Sequence, residues 1–162
     1  MDGIVQTVKF MEEMMRDEPL ISVIRGHLYI ESRLESILLS KVPGAQGLLK
    51  QMGFARKTKA ATAYGLIDKH ATKSLFAINR IRNAFAHELT SKTLNASDDT
   101  TLASTLRGEM LRHYEYTIES IKRDGQTFYD GLRCKVAIGA IYFALSNIHL
   151  NLLLEETSRR KE

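Results

Sequence analysis

Ile78-Asn79-Arg80-Ile81-Arg82-Asn83-Ala84-Phe85-Ala86-His87 is the stretch on which the reading of this chain turns. Neither proline nor glycine interrupts it. Its apolar residues recur at three- and four-residue intervals, through Ile78, Ile81, Phe85 and then Leu89. That is the period of a helix with one face turned to a core. At about 100° per residue, Asn79, Arg82, Asn83, Ala86 and His87 fall within one arc of roughly 140°, away from that face. The segment offers its aliphatic side to the core. On the other side it carries a guanidinium, two amides and an imidazole.

The same period runs outward in both directions. Residues 71–89 form the helix that holds this stretch. Before it, residues 3–16 place Ile4, Val8, Met11 and Met15 on one face, and residues 19–41 make a long helix with Ile24, Leu28, Ile30, Leu34, Ile37 and Leu38 available for packing. Pro19 starts that helix and Val42-Pro43-Gly44 ends it. A short helix over 45–52 stops at Gly53, and a basic helix over 54–68 ends near Asp68. After the stretch, residues 91–99 are polar and read as a loop. Ser97 or Asp98 is the candidate N-cap of a helix near 100–121. Arg123-Asp124-Gly125-Gln126 is a turn, residues 127–157 a final long helix, and 158–162 a charged tail that frays. No strand alternation, repeat or low-complexity tract occurs. The fold class expected is all-α, a single-domain bundle of long antiparallel helices over residues 1–162.

Composition excludes several classes. The chain has 162 residues, 44% of them hydrophobic, enough for one domain with one core. Cys134 is the only cysteine, so no internal disulfide exists, which fits a reducing cytoplasm. Acidic residues at the N-terminus argue against a secretory signal. The longest apolar run, Val136 to Leu145, falls short of the roughly 20 residues a bilayer needs, so no membrane is expected. Histidines are scattered without ligand spacing and no glycine-rich phosphate loop occurs, so neither metal nor cofactor is expected.

The net charge is +4. Between Phe54 and Arg82 stand Arg56, Lys57, Lys59, Lys69, Lys73, Arg80 and Arg82 against the single acid Asp68, a surplus of six. Such a run fits a solvated helical face and equally a surface that draws an anionic partner such as RNA. Arg82, Asn83 and His87 admit the same two readings. In one, Arg82 pairs with a neighbouring acid, Asn83 faces water and His87 caps the last turn. In the other, the imidazole moves protons at a ribose 2′-hydroxyl and a leaving 5′-oxygen, the guanidinium neutralises charge on the phosphorane, and the amide orients one partner. One histidine per subunit cannot readily be acid and base together, which favours two copies facing each other.

Arg82-Asn83-Ala84-Phe85-Ala86-His87 resembles the R-N-x-x-x-H signature of the HEPN superfamily. The order of His27-Leu28-Tyr29-Ile30-Glu31, Ala60-Ala61-Thr62-Ala63-Tyr64-Gly65-Leu66-Ile67 and Ile78-Asn79-Arg80-Ile81 is similar to its mannitol operon repressor-like branch. The resemblance runs from about Ile21 to His87. It implies a dimerising helical bundle with paired motifs at the interface and metal-independent endoribonuclease activity on single-stranded RNA, in a toxin or defence setting with an antitoxin as partner. It carries Arg82, Asn83 and His87 over as catalytic. It adds a polar residue on the earlier long helix, for which Glu31, in the stripe His27, Glu31, Glu35, is the choice. Arg56, Lys57, Lys59, Lys69, Lys73 and Arg80 are the RNA-binding candidates. Leu89 stands where the branch silenced by nucleotide addition has a tyrosine, which argues against that form of control. The alternative the resemblance leaves is a non-catalytic transcriptional regulator of the mannitol repressor type, working through protein contacts. His70, His113, His149 and Cys134 read as turn or packing residues, and Met11, Met14 and Met15 as a core face or a partner contact.

Overall fold

The computed structural model describes the backbone of residues 2–87 and 96–159 and the side chains of residues 9–86 and 97–159. These residues form eight helices and no strands: α1 Asp2–Arg16, α2 Pro19–Lys41, α3 Gln46–Gln51, α4 Phe54–Ala63, α5 Lys69–His87, α6 Ala96–Ala103, α7 Gly108–Arg123 and α8 Leu132–Arg159. The all-α class holds. Leu89 and most of the expected 91–99 loop lie outside the described residues, as do residues 160–162 of the expected tail. Ser158 and Arg159 belong to α8.

α2 and α8 make the centre. Ile30, Leu34 and Ile37 of α2 are fully buried, as are Ile138, Ile141 and Tyr142 of α8 to within 1%. The two helices approach closely at Gly26, where a Cβ would stand 2.4 Å from Cγ2 of Ile138. Only a residue without a side chain fits there. α1 closes one side. Phe10 lies 4.3 Å from the ring of Tyr142, and Met11, Met14 and Met15 pack on the core, so the methionine face is spent within the fold. As a whole α8 is long and apolar enough to cross a bilayer, which the shorter run counted from sequence did not indicate. Its Leu132–Leu145 half is what the core is built around.

Three boundaries depart from the sequence reading. The basic helix ends at Ala63, not near Asp68. Gly65 takes φ +68°, and the N–H groups of Gly65 and Leu66 turn back to the carbonyls of Thr62 and Ala61 at 3.0 and 2.9 Å. Asp68 instead caps α5, its Oδ1 accepting from the N–H groups of His70 and Ala71 at 2.8 and 2.7 Å.

The expected 100–121 helix is two. Ser97 and Asp98 lie inside α6 rather than capping it. The hydroxyls of Ser104 and Thr105 bond the carbonyls of Thr101 and Leu102 in the break, and Gly108 permits the turn at φ +55°. Leu102 and Leu106 thereby both reach the core.

The last helix begins at Leu132, not 127. The buried carboxylate of Asp99 caps it from α6, taking the N–H groups of Gly131 and Cys134 at 3.1 and 2.9 Å. Burial pushes the Asp99 carboxyl above its usual pKa, while these N–H donors pull the other way.

Candidate functional site

Asn79, Arg82 and Asn83 stand on the side of α5 that meets α2 and the start of α4. They line an open depression of about 430 Å³ with His27 and Glu31 of α2 and with Gly53, Phe54, Ala55 and Arg56. Of the sequence candidates, Arg82, Asn83, Glu31 and Arg56 therefore come together. Arg82 donates from Nη1 to Oδ1 of Asn83 at 3.1 Å, which fixes the neighbouring guanidinium and amide relative to each other. His87 ends α5, one helical turn beyond Asn83. Its side chain lies outside the described residues.

His27 is the member that sequence reasoning left without a role. Its ring is 4% exposed and lies 4.1 Å from the ring of Phe54. Nε2 meets Oδ1 of Asn79 at 3.1 Å, so the ring donates from Nε2 and leaves Nδ1 a buried acceptor with no partner among the described residues. Burial holds the imidazole below its usual pKa; the bond to Asn79 and the charge of Glu31 oppose that, and Arg82 and Lys57 reinforce it. His27 is therefore a neutral ring at neutral pH. The signal for it was present in the His27, Glu31, Glu35 spacing.

Lys57 is a correction. Sequence reasoning placed it on the RNA-binding surface, but it is 3% exposed. Its ammonium donates to Oε1 of Glu31 at 2.6 Å and also to Oε1 of Glu35. Burial alone would lower its pKa, and the two carboxylates outweigh that and raise it. A residue in this position cannot meet a strand. Glu31 in turn borders the depression with one oxygen already engaged. Arg56, Lys59, Lys69, Lys73 and Arg80 are exposed, and of these Arg56 alone lines the depression. On α5, Lys69, Lys73 and Arg80 fall within about 40° of one another around the axis, beside the Asn79–Asn83 row.

His113, His149 and the cysteine pack. His113 lies 4.1 Å from the ring of Phe143, and Nδ1 of His149 accepts from Arg33 at 3.0 Å. Cys134 is fully buried, and burial pushes its thiol far up. Among the described residues no group of three or more His, Cys, Asp or Glu is placed to hold a metal. A second groove, of about 450 Å³, lies between the 65–68 turn, the start of α7 and α8; its floor is mostly aliphatic.

α2 also leaves an apolar strip uncovered. Leu20, Ile21, Ile24 and Leu28 are 36–57% exposed and share the side of α2 that carries His27 and Glu31.

No family model, curated protein or solved structure matches the chain. The resemblance to the HEPN superfamily thus rests on the residues quoted above.

Proposed function

We propose that this protein is a metal-independent endoribonuclease acting on single-stranded RNA, with Arg82, Asn83 and His87 as its catalytic residues, in a cytoplasmic setting. The observation that carries the reading is the convergence of Arg82, Asn83 and Asn79 with Arg56 on one depression. These side chains donate hydrogen bonds, as a phosphodiester requires. In the reaction the ribose 2′-oxygen attacks phosphorus and the bond from phosphorus to the 5′-oxygen breaks. The 2′-proton leaves to a base and the 5′-oxygen takes one, giving a 2′,3′-cyclic phosphate and a 5′-hydroxyl. His87 exchanges these protons. Arg82 neutralises the charge that grows on the equatorial oxygens, and Asn83, tied to Arg82, keeps that guanidinium in register. Glu31, engaged by Lys57, serves as a charged wall rather than a free base.

A homodimer supplies the second imidazole. The uncovered strip Leu20, Ile21, Ile24 and Leu28 beside the site supports a second copy docking there. The same strip favours the second reading, a non-catalytic regulator of the mannitol repressor type that works by protein contacts, with an antitoxin or regulatory protein as the alternative occupant.

The test is incubation of the protein and its His87→Ala variant with mixed RNA in chelator, followed by analysis of the product ends. Cleavage by the parent alone, leaving 2′,3′-cyclic phosphates, is the expected result. Arg82→Ala should slow it by about 10²–10³. Equal cleavage by parent and His87→Ala rejects the assignment, and absence of cleavage by either favours the regulator.

A further inference from the structure

Phe128 and Tyr129 stand side by side in the segment between α7 and α8, and both are exposed, at 37% and 45%. With Asp130, Arg133 and two residues of α6, Asp99 and Thr100, they line a pocket of about 380 Å³ that shares no residue with the Arg82 depression. Its size is that of a small-ligand site. The guanidinium of Arg133 lies over the ring of Phe128, 5.6 Å from its centre. The carboxylate of Asp99 takes the N–H groups of Gly131 and Cys134, so those donors at the start of α8 are spent inside the fold. Asp130 is exposed and has no ion pair or hydrogen bond among the described residues. The pocket thus joins planar aromatic surface to one free carboxylate. That combination repels a phosphate and suits a flat, uncharged ring with N–H donors on its edge.

Helix direction sets this pocket at the same end of the bundle as the Arg82 row. α4 runs the same way as α2, since Phe54 meets His27 and Lys57 meets Glu31 and Glu35. α5 runs back, from Thr72 beside Thr62 to Asn79 beside His27, and so carries Arg82 and His87 on toward the start of α2. Lys135 bonds the carbonyls of Met15 and Asp17, which fixes the start of α8 at that end too.

We propose that the pocket holds a guanine base, with Phe128 and Tyr129 as its stacking surface and Asp130 accepting from N1–H and N2–H. Among the four RNA bases, guanine alone offers two neighbouring N–H donors to a carboxylate. Adenine and cytosine set an acceptor beside the amino group, and uracil flanks its one N–H with carbonyls. The base belongs either to an RNA strand that continues to Arg82 or to free guanosine. The strand source rests on the ribonuclease reading, and the pocket itself does not.

Two probes test it on the parent, Phe128→Ala and Asp130→Asn. Fluorescence anisotropy follows labelled DNA hexamers of five thymines with one guanine or one adenine, which lack the 2′-hydroxyl and survive the proposed cleavage. Calorimetry follows guanosine. Both side chains are exposed, so both variants should melt with the parent. The parent is expected to bind the guanine hexamer about fivefold tighter than the adenine one. Phe128→Ala should weaken both hexamers about tenfold, through lost stacking. Asp130→Asn should erase the guanine preference and leave the adenine hexamer unchanged; a carboxylate that acted only by repelling the strand would on removal strengthen both. Hexamer preference assigns the pocket to a strand, and variant-sensitive binding of guanosine alone assigns it to the free nucleoside. A parent with neither, or variants that bind both probes as the parent does, overturns the pocket. The two proposals fail separately. RNA cleavage with unchanged sites and rates in both variants leaves the ribonuclease without the pocket, and guanine preference in a parent that cuts no RNA leaves the pocket without the ribonuclease.

Discussion

Lys57 and Lys135 are buried to the same degree, 3% exposed each, and the fold satisfies them in opposite ways. Lys57 reaches across from α4 to two carboxylates on α2. Lys135, on α8, reaches the carbonyl oxygens of Met15 and Asp17 at the end of α1 and the hydroxyl of Tyr129, whose ring lies 5.3 Å away. The first cation is matched by full charges, the second by dipoles at the negative end of a helix. The difference lies in what each would leave behind. Without Lys57, Glu31 and Glu35 face each other one turn apart on α2, three-quarters and two-thirds buried, with no cation between them. Without Lys135, only neutral acceptors are left short of a donor.

Lys57→Met should therefore cost the most, about 3 kcal/mol, at the low end for a broken buried pair because both carboxylates keep some water. Urea denaturation measures it, and a loss below about 1 kcal/mol would remove the distinction between the two lysines. Adding Glu31→Gln and Glu35→Gln to that variant sharpens the comparison: with no charges left to strand, about half of the loss should return. Lys135→Met is expected to cost about 1–2 kcal/mol, the price of unmet carbonyls beside an apolar replacement.

The smallest effect concerns His27, which shares its surroundings with Lys57. Its pKa is lower in the folded chain than in the unfolded one, so the unfolded state binds more protons as pH falls. The associated stability is complete above the ordinary histidine value and declines as pH drops through it. Between pH 7.5 and 5 the parent should lose more stability than His27→Gln, which keeps a donor for Asn79 but does not titrate. Equal acid slopes in the two proteins would place the titration elsewhere, His149 being the other histidine held low by burial.

Local punctuation explains which parts of this architecture could be read in advance. Pro19, Pro43 with Gly44, and Gly53 act on their own backbone, and the bounds of α1, α2 and α3 fall within a residue of expectation. The start of α8 depends on Asp99, whose bond to the N–H of Cys134 spans 35 residues, and no local pattern signals such a cap. The site divides in the same way. The row Asn79, Arg82, Asn83 follows from helical period alone. The pairing of His27 with Asn79 spans 52 residues, and a charge count over residues 54–82 carries no geometry that would tell the buried Lys57 from its exposed neighbours. The break between α6 and α7 had a signal in Ser104, Thr105 and Gly108, which the apolar period obscured.

The close approach of Gly26 to Ile138 has a consequence for the order of synthesis. A ribosome releases α2 well before α8, yet α2 finds its main apolar partner only in α8. Each helix can form within microseconds of emerging, whereas docking α2 on α8 waits until a loop of more than a hundred residues can close. Until then the wall that Glu31 and His27 provide has no rigid backing. A nascent chain carrying every residue of the depression would still lack the helix that backs α2, so the wall gains its support only after α8 has left the tunnel.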